Sequence, residues 1–567
     1  MPHTGLAELA ALGRPPRWPG FDDGMIYPPR EFAPGTPSST VRTAAAERTP
    51  LRGKIKIAVI MVDFPDRAMG ASVEHVEDLF FSEGKLPNGS VREYFSEVSG
   101  GKVELGGTVV PTVRLPKELA FYAADNFGIG RGGHGPPRAP KMADDAVVKA
   151  NPILDFKPFD NDGNGYVDAV VVVHAGPGAE NTGNPQDIWS HKGVLPSARP
   201  VDRVKAYAYI TVGEDSTIGV CAHELGHLLF GLPDLYDPDG SSMGIGNWCL
   251  MGTGSWTGDA GDQPVHLSAW CKLNQGWVTP SVISSPGEVS FVDVKISRVV
   301  HRLWTNGSGG QEYFLAENRQ RTGYDTGLPG HGLLIWHIDE GQPDNSNENH
   351  LKVRLVQADD KRDLEMRRDT GDQGDPYPGS SNNVAFSATS KPTSHSHAGG
   401  PTLVAVTGIS GSGPTMKATV TVSGGKDQAK DSKDSTKDGH KDGKDGHKDG
   451  KDGHKDGGEG GGGPGKVKEH PFAPGRKGPE IEVAPYYAGE PDALSTLILE
   501  LQARLTALEQ TLTGTVDEYG GEPFIGAALR PDLVTGPEYD CGEDDLRRSA
   551  EAGDPLAKRG YDSRPGR

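Results

Sequence analysis

The chain has 567 residues, and at about 150 residues per domain this length predicts three or four domains. Its 79 glycines and 45 prolines approach the share typical of low-complexity proteins, so part of the chain is not expected to fold. The formal net charge of -20 argues against a nucleic-acid partner, because an acidic surface repels phosphates. No apolar run approaches the roughly 18 residues that a membrane-spanning helix needs, so we expect no membrane span. The 4 cysteines are too few and too scattered for a disulfide framework, and we expect them to be reduced and buried.

Residues 1–52 are rich in proline, alanine, arginine and threonine and have no sustained hydrophobic period. This composition predicts an extended arm or pro-segment. A basic start followed by an apolar run is missing, so we expect no signal peptide. The arm contains no cysteine, so no thiol of this segment can block a metal centre.

Residues 53–280 interleave strand and helix patterns, which predicts an α/β or α+β domain. Buried strands are expected at 54–63 and 167–174, where apolar residues run almost without interruption. Between them, Ser90 and Glu93 have the spacing of a capping box, which predicts that a helix begins there.

The composition after residue 280 changes in three steps. Residues 281–423 contain short strand patterns separated by turn residues, which predicts a β-rich domain. Residues 424–480 repeat Lys, Asp, Gly and His without an apolar face and are expected to form a disordered, low-complexity linker. Residues 481–567 form a polar C-terminal tail, in which residues 494–512 carry a short heptad pattern. The pattern predicts either weak self-association through this helix or a single amphipathic helix that docks on another surface.

The most informative motif predicts a metal-binding helix with an apolar opposite face. His223 and His227 are four residues apart, so on a helix both imidazoles project from one face and can hold one ion. Glu224 lies beside them, within reach of a water molecule on that metal. Gly231 is suited to end the helix in a left-handed conformation, after which Asp234 can return a third, oxygen ligand. The alternative is a core helix whose histidines are merely hydrogen-bonded.

A second feature lies at 246–256, where Met251 is part of a glycine-rich turn. A methionine in such a turn after a zinc helix is typical of the Met-turn, which forms a hydrophobic floor beneath the metal. By itself Met251 could be an ordinary core residue, but its position after the histidine motif favours the Met-turn.

Together these segments resemble the immune inhibitor A family of bacterial zinc metallopeptidases, which are metzincin-like. The resemblance covers residues 55–422 and leaves out the arm, the linker and the tail. It implies a zincin-like catalytic domain, a zinc-dependent endopeptidase that acts on proteins or peptides, stabilisation by calcium, and an extracellular location. The further similar segments are 61–66, 90–101, 160–180, 188–191, 313–319, 328–339 and 371–379.

The resemblance also implies a mechanism. Zinc held by His223, His227 and Asp234 would keep one position open for a water molecule and lower its pKa. Glu224 would take the proton as general base, and the resulting hydroxide would attack the scissile carbonyl. Glu224 would then pass the proton to the leaving amine. Tyr236 is a candidate for stabilising the oxyanion.

One departure from the family pattern concerns the third ligand. The family usually has two residues between the second histidine and the glycine, whereas here Phe230 adds a third before Gly231. A helix longer by one residue, or a one-residue bulge, could absorb the insertion. Asp237 is therefore the alternative to Asp234 as the third ligand.

A separate segment rich in Asp, Asn and Gly predicts a calcium loop. Asp160, Asp162, Asn164 and Asp168 occupy positions one, three, five and nine of such a loop, and Gly165 lies at its sharp turn. Position twelve is not glutamate, so ligands from elsewhere would have to complete the site. The alternative is a hydrated turn without a metal.

The sequence therefore predicts a zinc-dependent endopeptidase that hydrolyses protein substrates. The alternative is a catalytically inactive, peptidase-like binding or surface module that acts through its β-domain and C-terminal tail. The presence of all three ligand types and the base argues against a decayed site. Residues 206–212, just before the histidine helix, predict either an edge strand that pairs with an extended substrate or an interior strand.

Overall fold

The structure is a computed structural model that describes residues 21–27, 31–32, 36, 38–45, 49–131 and 135–422. All of these residues belong to one compact unit. The predicted linker at 424–480, the tail at 481–567 and its heptad segment at 494–512 lie outside the described residues.

A five-stranded mixed sheet forms the centre of the first part of the chain, in the order β2-β1-β3-β5-β4. Its strands run parallel except β4, which is antiparallel to β5. All five residues of β3 are buried, as expected for an apolar strand covered on both faces. The strands are β1 Gly53–Asp63, β2 Val103–Arg114, β3 Val170–His174, β4 His191–Val201 and β5 Val204–Gly213.

Eight helices accompany this sheet in the described part of the chain. The capping box is confirmed: the Glu93 backbone N–H donates to Ser90 Oγ at 3.2 Å, and the Ser90 N–H donates to Glu93 Oε2 at 2.9 Å. The arm contains a helix that the sequence did not predict. The helices are α1 Ser38–Ala45, α2 Val73–Phe81, α3 Val91–Ser99, α4 Leu119–Ala123, α5 Ala139–Ala150, α6 Ala179–Thr182, α7 Ile218–Phe230 and α8 Ala269–Asn274.

The strand-rich pattern expected after residue 280 is found in two further sheets. One has the order β11-β10-β9-β8-β6 and the other β12-β13-β14-β7. One short helix, α9 Val294–Ser297, lies between β7 and β8. The strands are β6 Thr279–Val282, β7 Gly287–Val292, β8 Val299–Trp304, β9 Glu312–Arg319, β10 Gly332–Asp339, β11 Val353–Leu355, β12 Ala385–Phe386, β13 Val404–Thr407 and β14 Thr415–Val422.

One hydrophobic cluster includes residues of both parts, and the strand-rich part has a second cluster of its own. Trp248 and Trp277 from the first part and Trp336 from β10 are fully buried members of the same apolar cluster. A buried ion pair also joins the parts, because Lys272 Nζ of α8 lies 2.8 Å from Glu317 Oε2 of β9. Burial on both sides therefore ties the helix-containing part to the strand-rich part.

Strand β5 settles the alternatives for residues 206–212. It lies between β3 and β4, so the segment is an interior strand and its interpretation as an edge strand is wrong. On the side of β5, the edge strand of the sheet is β4, which pairs with β5 through residues such as His191 and Lys192. An extended peptide that adds to this side of the sheet would have to pair with β4.

Two further observations bear on the sequence predictions. No helix within the described ranges is long and apolar enough to cross a membrane. Cys221, Cys249 and Cys271 are buried free thiols, as expected for cysteines that fill a core.

Candidate metal centre

Helix α7 positions the predicted histidines. It begins after Thr217 and ends at Gly231, whose φ of +60° is the left-handed conformation that the sequence predicts. The N–H of Leu232 donates back to the carbonyl of Gly226 at 3.1 Å and completes the helix end. All thirteen residues of α7 are buried, so its polar face is covered as well as its apolar face.

The extra residue Phe230 is accommodated by a longer helix. It is the last residue of α7, and its ring packs 5.1 Å from that of Phe95 and 5.0 Å from that of Trp277. The Gln275 side chain donates to the Phe230 carbonyl at 2.8 Å. Phe230 is thus part of the helix rather than a bulge, and the left-handed turn at Gly231 follows it directly.

Three of the predicted side chains converge on one point. Oδ1 of Asp234 lies 3.1 Å from Nε2 of His223 and 3.2 Å from Nε2 of His227. The two Nε2 atoms are 3.1 Å apart, and the rings stand at 86° to each other. Three donor atoms that face each other at this spacing could hold one metal ion.

The outer nitrogens of both imidazoles are fixed by backbone carbonyls. His223 Nδ1 lies 2.9 Å from the carbonyl oxygen of Leu250, and His227 Nδ1 lies 2.6 Å from that of Leu232. A carbonyl can only accept, so each Nδ1 carries a proton, and in the neutral imidazole each Nε2 keeps its lone pair for a metal ion. The lone pairs of both imidazoles are therefore directed towards Asp234.

Met251 lies against helix α7, as the predicted Met-turn requires. A Cβ atom on Gly226 would come within 2.9 Å of the Met251 sulfur, so the methionine packs on the glycine between the two histidines. Its backbone carbonyl accepts from the N–H of Leu235 at 2.7 Å, next to Asp234. The turn thus supports both the helix and the loop that carries the carboxylate.

Glu224 is buried beside the histidines, and its Oε2 atom has no hydrogen-bond partner among the described residues. Burial raises the pKa of this carboxyl well above its usual value, and the nearby carboxylates of Asp22 and Asp234 add to the effect. An unpartnered buried oxygen next to three convergent donor atoms fits a metal site whose ion and water would be its partners.

Asp22 of the N-terminal arm also reaches this centre, which the sequence did not predict. One carboxylate oxygen of Asp22, one of Glu224 and a ring nitrogen of His227 all lie within 4.8 Å of one another. The backbone N–H of Lys192 on β4 donates to Asp22 Oδ1 at 2.8 Å. Burial raises the pKa of Asp22 to about 7.

The arm around Asp22 is held along the edge strand. The ammonium of Lys192 forms an ion pair with Asp23 and donates to the Met25 carbonyl at 2.8 Å. The ring of Phe21 packs 5.6 Å from that of His191. The signal in the sequence is slight: Asp22 and Asp23 are the only adjacent acids in residues 1–52.

The remaining candidates, Tyr236 and Asp237, differ in their position relative to the centre. The ring of Tyr236 stacks on that of His223 at 6.2 Å and 16°, beside Asp234. The carboxylate of Asp237 turns away and accepts from the hydroxyls of Ser241 and Ser242, each at 2.8 Å. Burial opposes ionisation of Asp234, yet His227 and His223, when they are protonated in the absence of a metal, hold the pKa of its carboxyl well below the usual range.

The predicted calcium loop brings three of its four side chains together. Carboxylate oxygens of Asp160, Asp162 and Asp168 all lie within 4.8 Å of one another. Oδ1 of Asp160 is buried and has no hydrogen-bond partner among the described residues. Asn164 is turned to local contacts, because its Oδ1 accepts from the Tyr166 N–H at 2.8 Å. Gly165 has φ +88°, as expected for a sharp turn.

Two buried imidazoles, a carboxylate and a neighbouring glutamate on a mixed α/β domain form an arrangement typical of metal-dependent hydrolases. Residues 50–278 match the family described as immune inhibitor A peptidase M6, catalytic domain. This match confirms the resemblance predicted from the motifs over residues 50–278.

Two similar curated proteins are named an immune inhibitor and a metalloprotease. Immune inhibitor A of Bacillus thuringiensis subsp. alesti is 30% identical over 300 residues, which are 42% of this chain and 43% of that protein. Pre-pro-metalloprotease PrtV of Vibrio cholerae serotype O1, from strain M66-2, is 28% identical over 267 residues, which are 38% of this chain and 29% of PrtV. The chain thus spans less than half the length of these curated relatives.

Proposed function

We propose that this protein is a zinc-dependent endopeptidase that hydrolyses peptide bonds of protein substrates. The observation that carries the proposal is the convergence of His223, His227 and Asp234 beside the unpartnered carboxylate of Glu224. Two imidazoles and one carboxylate match the donor set of catalytic zinc sites, which keep a further position open. When bound, zinc would polarise the scissile carbonyl and lower the pKa of a water molecule.

The chain's own residues supply the proton transfer. Glu224 Oε2 would accept the proton of the attacking water and later deliver it to the leaving amine. Burial keeps the pKa of the Tyr236 hydroxyl well above its usual value, so the hydroxyl stays protonated and can donate to the oxygen of the scissile carbonyl. Carbonyls of Leu250 and Leu232 hold the imidazoles in orientation.

The position of the arm supports a latent form of the enzyme. Asp22 lies against the metal-binding side chains, and its segment runs along the edge strand that an extended substrate would need. The arm and an extended substrate cannot both pair with β4. Residues 21–27 must therefore move away before a substrate can bind. An extracellular site of action accords with the family resemblance and belongs to the same proposal.

The decisive experiment measures zinc content and casein hydrolysis in parallel. In an Asp22→Ala background, which keeps the arm from masking activity, Glu224→Gln is expected to retain zinc and to lose hydrolysis by about 10²–10⁴-fold. Glu288→Gln, a surface substitution on β7, is the matched control and is expected to cleave at the parent rate. A chelator should abolish hydrolysis, and added Zn²⁺ should restore it. Cleavage by Glu224→Gln at the parent rate would show that the mechanism is wrong.

We also propose that Asp160, Asp162 and Asp168 bind a structural calcium ion, with further oxygen ligands from backbone or water. Calcium added to the chelated protein is expected to raise its unfolding temperature, because an ion that binds only the folded state stabilises it. Asp162→Asn should remove this response, whereas the exposed Asp125→Asn should keep it. An equal calcium response in Asp162→Asn would count against the site.

The competing function is an inactive peptidase-like binding or surface module that acts through the β-domain and the tail. A decayed site is expected to lack a ligand or the base, whereas His223, His227, Asp234 and Glu224 are all present. Absence of hydrolysis from a zinc-loaded Asp22→Ala protein would favour this function instead.

A further inference from the structure

A second group of histidines and acids lies in the strand-rich part, away from helix α7. Glu312 and Phe314 of β9 and His337 and Asp339 of β10 occupy one face of the sheet, since alternate residues of a strand share a face. Nε2 of His337 lies 2.8 Å from Oε1 of Glu312. The loop between β12 and β13 brings His397 onto the same face, where its backbone N–H donates to Glu312 Oε1 at 2.7 Å.

Three imidazoles are stacked at this position. The ring of His397 lies 4.1 Å from that of His337 at 12°, and 4.0 Å from that of His350 at 25°. Nε2 of His350 in turn lies 2.7 Å from Oδ2 of Asp339. The cluster thus contains two histidine–carboxylate pairs with a third histidine between them.

One ring nitrogen of His397 is left unpaired within the described part of the chain. Its Nε2 atom is buried there without a hydrogen bond, although a buried polar atom left unpaired costs about 1–3 kcal/mol. One donor atom each from Glu312, His337 and His397 lie within 4.8 Å of one another. An unpartnered imidazole nitrogen beside a carboxylate and a second imidazole is explained if an ion occupies the space between them.

We propose that Glu312, His337 and His397 form a second metal site, for a divalent transition-metal ion such as Zn²⁺. Imidazole nitrogen with a single carboxylate oxygen suits borderline ions of this class better than calcium or magnesium, which prefer all-oxygen shells. His350 and Asp339 lie next to the site as a further ligand pair. The His337 and His397 rings are nearly parallel, so His397 must turn about its Cβ–Cγ bond to share an ion with His337.

The cluster is partly open to solvent. The Glu312 side chain is 24% exposed and that of His350 is 31% exposed. An ion from solvent can therefore reach the cluster.

The test is the number of zinc ions that the full chain retains. All proteins carry His440→Asn, His447→Asn and His454→Asn, so that histidines of the linker bind no zinc. After incubation with Zn²⁺ and gel filtration, elemental analysis is expected to find two zinc ions per chain in this parent. His397→Ala and, separately, His227→Ala are each expected to retain one.

His301→Ala is the matched control, because His301 lies on the neighbouring strand β8 and packs on Phe291 outside the cluster. It is expected to retain two zinc ions. Glu312→Gln preserves the size of the side chain and decides the outcome if His397→Ala fails to fold; it too should retain one. The proposal is overturned if the parent retains one zinc that only His227→Ala removes, or if the cluster variants retain two. Because each centre has its own variant, failure of this site is distinguishable from failure of the catalytic centre.

Discussion

Asp234 and Asp237 belong to the same loop, yet their carboxylates have different partners. That of Asp234 faces two imidazole nitrogens at 3.1 and 3.2 Å, whereas that of Asp237 is saturated by Ser241, Ser242 and the backbone of Asp239. The first carboxylate faces the position where an ion would bind, and the second holds the next turn of the chain. A substitution at each position should therefore affect a different property.

Asp234→Asn is expected to weaken zinc binding by more than the roughly 10–100-fold that loss of an outer-shell partner costs, because it removes a charged ligand. Asp237→Asn should leave zinc affinity within about threefold of the parent and lower the unfolding temperature instead. Zinc titration with a competing chelator measures the first effect, and thermal unfolding the second. If Asp237→Asn is the variant that loses zinc, the assignment of the third ligand is reversed.

The histidine pair and the glutamate were predictable because their geometry is local. A spacing of four residues places His223 and His227 on one helical face whatever the rest of the fold does. Asp234 depended on how the chain absorbs Phe230, which the packing against Phe95 and Trp277 decides. Asp22 was not predictable, because its approach depends on the path of an arm that lies about 200 residues earlier in the chain.

At the scale of elements, the pairing order of the sheet decides which strand meets an extended peptide. Periodicity identified β1 and β3 as buried strands, and it identified residues 206–212 as a strand. It does not encode which neighbour each strand pairs with, and the interior position of β5 emerged only from the complete sheet. The edge at β4 is therefore where the arm is held, through Lys192 and Asp22.

Removal of the Asp22 carboxylate should release the arm from the centre. A hydrogen bond to a charged group contributes about 1.5–3 kcal/mol, so Asp22→Ala is expected to raise the rate of peptide hydrolysis roughly ten- to hundredfold. Hydrolysis of a short fluorogenic peptide measures this rate. Asp78→Ala, which removes a carboxylate paired with Lys85 on helix α2, is the control and should leave the rate unchanged. Equal rates for Asp22→Ala and the parent would mean that the arm does not limit access.

For the whole molecule, a buried ionic network joins the first part of the chain to the strand-rich part. The Arg319 side chain of β9 donates from Nε to Asp325 Oδ2 at 2.8 Å, and it also donates to the Trp248 carbonyl at 3.2 Å. Asp325 Oδ1 accepts from the His266 backbone N–H at 3.0 Å. The Arg319 and Asp325 side chains are fully buried. Glu317 also lies 3.5 Å from Arg319, and Lys295 lies 3.1 Å from Asp325. Loss of the Asp325 charge therefore leaves a buried excess of positive charge.

Asp325→Asn is therefore expected to lower the free energy of unfolding by about 3–5 kcal/mol, measured by denaturant unfolding at pH 7. Glu288→Gln, which breaks the exposed pair with Lys417, should leave the midpoint unchanged.

The pH dependence gives an independent check. Burial opposes ionisation of Asp325, but Arg319 outweighs it and holds the pKa of the carboxyl far below its usual value. A depressed pKa in the folded state stabilises the protein above the unfolded value of about 3.9, and this stabilisation is lost as pH falls below it. The parent should thus lose stability more steeply than Asp325→Asn between about pH 5 and pH 2. Parallel curves of stability against pH for the two proteins would exclude this network as the cause of the acid sensitivity.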